Sequence, residues 1–65
     1  MNQDSMVFRR ACVNHPELSV SVGKTPIGTY RTVFRDDEAG AVIETRVFEK
    51  CIRAYESAQR LINQD

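Results

Sequence analysis

The chain has 65 residues, with nine Lys plus Arg, nine Asp plus Glu, two Cys, three Gly, two Pro and no Trp, and 42% of it is hydrophobic. That balance excludes a disordered tail, a collagen-like repeat and a disulfide-dense scaffold, and it describes one small domain over residues 1–65. A formal net charge of zero argues against a protein that coats nucleic acid or an anionic membrane, since counterion release rewards clustered positive charge.

Residues 1–4 are expected to fray. Over residues 5–13 two readings compete. Asp4 or Ser5 can cap a short helix that turns Val7, Phe8, Ala11 and Cys12 inward and Arg9 and Arg10 outward, stopped by Asn14-His15-Pro16. An additional strand is the rival, and the helix is preferred. Residues 17–22 alternate strictly, which puts Leu18, Val20 and Val22 on one face of a strand and Glu17, Ser19 and Ser21 on the other. Residues 27–35 are rich in Thr, Tyr, Val and Phe and predict a second strand. The run Asp36-Asp37-Glu38-Ala39-Gly40 then predicts a hairpin loop, with Gly40 supplying a positive φ.

Residues 41–48 carry the β-branched Val42, Ile43, Thr45 and Val47, which predict a third strand. The rival is one long helix over residues 37–63, capped by Asp36. It would place Gly40 in its first turns and leave a marginal two-stranded hairpin to cover it. Residues 49–63 predict an amphipathic helix whose stripe is Phe48, Cys51, Ile52, Tyr55, Ala58, Leu61 and Ile62. Glu49 with Arg53 and Glu56 with Arg60 stand four apart in the favourable order, and Arg60 suits the helix C-terminal dipole. The expected fold is therefore α+β, α-β-β-β-α: a small three-stranded antiparallel meander with helices, the C-terminal amphipathic one included, on one face.

No stretch approaches the run of apolar residues a membrane span needs, and MNQDSMVFRR does not read as a signal peptide, so a cytoplasmic protein of bacterial or phage-like compactness is expected. In a reducing compartment the two separated cysteines, Cys12 and Cys51, read as small buried hydrophobes. Cys12 with His15 could begin a Cys-His pair or a zinc site completed by Cys51 and Glu17, but zinc sites carry paired ligands at both ends and only one pair exists. Gly23-Lys24-Thr25 copies the end of a phosphate loop, yet Leu18 stands where its first glycine belongs and Pro26 blocks the following helix. Asp36, Asp37 and Glu38 read as a solvated turn. The expectation is thus no enzyme, no cofactor and no metal.

The predicted sheet offers a surface instead. With Tyr30, Phe34, Ile43 and Val47 toward the helices, the opposite face shows Ser19, Ser21, Thr29, Arg31, Val33, Arg35, Val42, Glu44 and Arg46. Guanidinium and aliphatic groups together are characteristic of protein interfaces. The expected binding residues are therefore Arg31, Val33, Arg35, Val42 and Arg46.

The order Gly28-Thr-Tyr-Arg, then Arg35-Asp-Asp-Glu-Ala-Gly, then Arg46-Val-Phe before a helix with Ala54 and Ala58 resembles in outline the three-strand-plus-helix DNA-binding domains at the start of some phage integrases. What the resemblance implies is a shared architecture, without family membership. Those domains carry Trp and many basic residues on the sheet, whereas this segment has no Trp and an acidic turn.

A core this small gains from a partner chain. The preferred expectation is a non-enzymatic protein-binding or regulatory module that self-associates as a homodimer, or docks a protein partner, through the sheet face or the exposed edge of the strand over residues 17–22. The alternative is nucleic-acid binding through Arg31, Arg35 and Arg46, joined by Arg9 and Arg10. Residues 1–32 carry four bases and two acids (+2) and residues 33–65 five bases and seven acids (−2), so neither half is strongly basic.

Overall fold

The computed structural model describes residues 3–64. Four strands, β1 (Ser5–Ala11), β2 (Leu18–Lys24), β3 (Tyr30–Asp36) and β4 (Ala41–Phe48), precede one helix, α1 (Cys51–Ile62). The strands form an antiparallel sheet in the order β1-β2-β3-β4, each hydrogen-bonded to its neighbour in the chain. The domain is α+β as expected, but the sheet has four strands rather than three and, among the described residues, no helix precedes it.

The extra strand is the segment given the helical reading. Met6↔Gly23 and Phe8↔Val22 are paired, so Val7 is skipped in a bulge. That extra residue puts apolar groups next to one another and mimics a helical stripe. A second consequence is that β2 lies inside the sheet, so its edge is not available for docking; the free edges belong to β1 and β4.

Turn chemistry sets the hairpins. Thr25 O accepts from Gly28 N at 3.0 Å and Thr29 O accepts from Thr25 N at 2.9 Å, closing a tight turn with Pro26 in its second place and Gly28 at φ 90°. The Thr25 and Thr29 hydroxyls lie 2.6 Å apart beneath it. In the β3–β4 loop, Asp36 Oδ1 accepts from the amides of Glu38 and Ala39, both at 3.1 Å, and Gly40 takes φ 69°. The acidic run and its glycine thus form the expected loop.

The side chains that meet α1 come from alternate positions: Phe8, Leu18, Val20, Val22, Tyr30, Phe34 and Phe48. Val20 and Val22 are the largest fully buried side chains, each contributing roughly 1.5–3 kcal/mol. On the helix the buried residues are Ala54, Ala58 and Ile62, while Cys51, Ile52 and Tyr55 of the expected stripe are exposed. Two alanines at the contact let the helix axis approach β2 closely, and the larger apolar residues fall to its flank. There Tyr55 meets Phe8 edge to face, with ring centroids 5.5 Å apart. The C-terminal end is tied down where Val13 N donates to Ile62 O at 2.9 Å. Glu49–Arg53 and Glu56–Arg60 do not reach ion-pair distance among the described residues.

The expectation of fraying over residues 1–4 falls partly on residues 1 and 2, outside the described residues. Asp4 puts Oδ2 3.0 Å from Arg31 Nη1. No described helix is long and apolar enough to cross a membrane.

Candidate docking surface

One face of the sheet carries α1; the other is bare. Directly opposed residues share a face, so the register assigns each side chain. The rows Met6–Gly23–Arg31–Val47, Arg9–Ser21–Val33–Thr45 and Ala11–Ser19–Arg35–Val42 cross the bare face. The row Phe8–Val22–Thr32–Arg46 and the row Arg10–Val20–Phe34–Glu44 cross the helix side.

Arg31, Val33, Arg35 and Val42 are thus brought together as expected. Arg46 is not, and neither is Glu44. Phe34 opposes Glu44 and Arg35 opposes Val42, so Ile43 is an inserted bulge residue and everything after it changes face. Val47, expected inside, stands on the bare face for the same reason. Met6, Arg9 and Thr45 were not expected there; only the pairing partners of β1 and β4 reveal them.

The bare face is zoned. Its middle strand presents Ser19, Ser21 and Gly23, all buried although no layer covers them, because longer neighbours lean across them. Arg9 does so visibly: its Nη2 donates to Asp37 Oδ1 at 2.7 Å and reaches Ser19 Oγ at 3.4 Å. Arg31 is held by Asp4 from the opposite end of the face. Gly23 leaves room for Asp4, since a Cβ there would lie 3.1 Å from Asp4 Cβ and press it aside. The result is a shallow groove of about 330 Å³ lined by Met6, Ser21, Gly23, Arg31, Val33 and Arg35, together with Gln3 and Asp4. Met6, Val47 and Val42 stand around it at 66%, 57% and 53% exposure. All three Phe and both Tyr belong elsewhere: Phe8, Tyr30, Phe34 and Phe48 pack against the core, and Tyr55 is on the helix.

The residues considered for chemistry are dispersed. Cys12 is buried near the C-terminal end of α1, whereas Cys51 opens the helix and is exposed, roughly 16 Å away along its axis and contrary to the expectation that both are buried. Burial pushes the Cys12 thiol above its ordinary value, with Glu17 adding to the effect, so Sγ is held as the neutral thiol. His15 Nδ1 lies 3.6 Å from Glu17 Oε1. Among the described residues no group of three or more His, Cys, Asp or Glu is placed to hold a metal ion. Cys12 and His15 do line one hollow of about 250 Å³ with Leu18, Phe34, Leu61 and Gln64, an apolar gap beneath the helix end.

The chain matches no protein-family model, no curated protein and no solved structure.

Proposed function

We propose that this chain is a non-enzymatic protein-binding module that pairs with a second copy of itself through the bare face of its sheet. The observation that carries the reading is the set Met6, Val33, Val42 and Val47 gathered on that face beside Arg31 and Arg35. Met6, Val42 and Val47 are each more than half exposed, and burying such groups contributes about 25 cal/mol per Å². A domain whose largest fully buried side chains are two valines has strong use for that burial. Sheet-on-sheet packing suits a face whose centre is recessed at Ser19, Ser21 and Gly23 and whose flanks project.

Nucleic-acid binding is the weaker reading. Arg9 and Arg31 are already neutralised by Asp37 and Asp4, Arg46 belongs to the other side, and the face has no aromatic ring on which a base could stack. Thermal melts at increasing protein concentration test the proposal. The melting temperature is expected to rise with concentration, as it does for a dimer that dissociates on unfolding. A melt independent of concentration removes self-association, and binding of duplex DNA that weakens as salt rises would favour the other reading.

A further inference from the structure

The same bulge that removes Arg46 from the bare face delivers it to a second surface. On the flank where β4 meets α1, Arg46, Phe48, Arg53, Glu56, Ser57 and Arg60 line one hollow of about 150 Å³. Arg53, Ser57 and Arg60 stand at i, i+4 and i+7 and so share one face of the helix. Arg46 reaches the hollow from the sheet because it sits on the helix side of β4, opposite Thr32.

One charge here, that of Arg53, is set against local preference. Arg53 lies in the first turn of α1, the positive end of the helix dipole, where an acid belongs; that turn has no acid and Lys50 provides no side-chain cap. Arg46 pairs with Glu44 at 3.3 Å, whereas Arg53 and Arg60 pair with no carboxylate among the described residues. Glu56, the acid in the hollow, does not come within ion-pair distance of either. An arginine set against the helix dipole and paired with no carboxylate among the described residues is what an anion site looks like before its ligand arrives.

We propose that this hollow binds a phosphate group. The guanidinium fork matches the oxygen spacing of a tetrahedral oxyanion and donates charge-assisted hydrogen bonds to it. Arg53 and Arg60 supply the forks from the helix, Arg46 closes the hollow from β4, and the Ser57 hydroxyl between them is a further donor. The space is several times the about 30 Å³ a liquid water occupies, enough for one oxyanion, and Phe48 lines it. Free phosphate and the head of a phosphomonoester present the same oxygens. This site lies across the molecule from the proposed dimer face and does not depend on it.

The test titrates inorganic phosphate and, separately, O-phosphoserine into isotopically labelled protein at low ionic strength, with chloride at matched ionic strength as the reference. Saturable shifts are expected at the amides of Arg46, Ser57 and Arg60 and at the arginine side-chain Nε signals. Equal affinities assign the site to free phosphate, and tighter O-phosphoserine binding to a phosphomonoester. Arg53→Gln and Arg60→Gln are each expected to weaken binding about tenfold, with Arg53→Lys losing part of that because the point charge remains while the fork is lost. Both positions are exposed, and well-dispersed amide spectra of the variants confirm that they fold. Shifts reproduced by chloride, or binding unchanged in both Gln variants, overturn the proposal.

Discussion

Arg35 stands opposite Val42 on the bare face of the sheet, although Phe34, its neighbour in β3, stands opposite Glu44; the residue passed over between them is Ile43. This one insertion reverses the pleat for the rest of β4. It sends Val47 out to the docking face and Arg46 in to the helix flank, so both proposed surfaces depend on it.

Deletion of Ile43 is accordingly expected to preserve the fold. With Ile43 removed, Val42 and Glu44 become neighbours that already stand on opposite faces, and Ile43 is half exposed, so the cost is expected to stay at about 1 kcal/mol. Cross-strand NMR contacts of Phe34 with residue 44 and of Arg35 with Val42 check this. Loss of either contact would mean that the bulge is needed to hold the register.

The seat of the helix is the tightest point of the core. Ala54 and Ala58 are completely buried, and a larger side chain at either would have to push α1 away from β2. Ala58→Leu is expected to destabilise by about 1–3 kcal/mol, read as a lower urea midpoint with an unchanged slope. A neutral or stabilising effect would show that the helix rides further from the sheet.

Gly40 holds φ 69° in the Asp36–Ala41 connection, and Asp36 accepts two loop amides. Gly40→Ala places a Cβ in the left-handed region and is expected to cost about 1 kcal/mol, although nothing stands within 4 Å of that Cβ. The comparison with Gly23→Ala is informative. There φ imposes no strain, and the expected loss, again about 1 kcal/mol, comes from crowding Asp4 away from Arg31. Chemical denaturation of both variants, with and without Asp4→Gly, separates the two causes: Asp4→Gly, which removes the crowded Cβ, should relieve the cost at Gly23 and leave the cost at Gly40 unchanged.

Much of this fold could be read from residue order, and the failures share a cause. Leu18, Val20 and Val22 alternate without interruption, and β2 was accordingly legible. The loop was too, because Asp36 and Gly40 have specific backbone roles. In β1 and β4 a single extra residue, Val7 or Ile43, breaks the period of two. Met6-Val7-Phe8 then reads as helix, and the faces of residues 44–48 read inverted. Alternation carries no information about which residue is skipped, since that depends on the partner strand. The helix face was misplaced for a different reason: Ile52 and Tyr55 outweigh Ala54 in hydrophobicity, whereas close packing selects for small size. Four of the five expected binding residues nevertheless share the bare face, because β3 pairs without interruption along β2 and Val42 precedes the bulge.

Burial of Cys12 gives stability a defined pH dependence. Its thiol is raised above the ordinary 9.0, so below that pH the folded and unfolded chains both keep the proton and the group is neutral with respect to folding. Above it the unfolded chain ionises while the folded chain does not, and stability falls as pH rises toward the raised folded value. Urea midpoints measured upward from pH 9.0 should decline more steeply for the protein with Cys12 than for Cys12→Ala. Equal slopes with and without Cys12 would place the thiol in contact with water.

Sedimentation equilibrium on the unmodified chain and on Val42→Glu tests the central claim. Val42 is on the bare face and more than half exposed, so glutamate there leaves the monomer core intact while placing a charge among the aliphatic groups that dimerisation would bury. A monomer–dimer equilibrium is expected for the chain and a monomer for the variant at every concentration. A chain that is monomeric throughout, or a variant that dimerises as well as the parent, would contradict the claim.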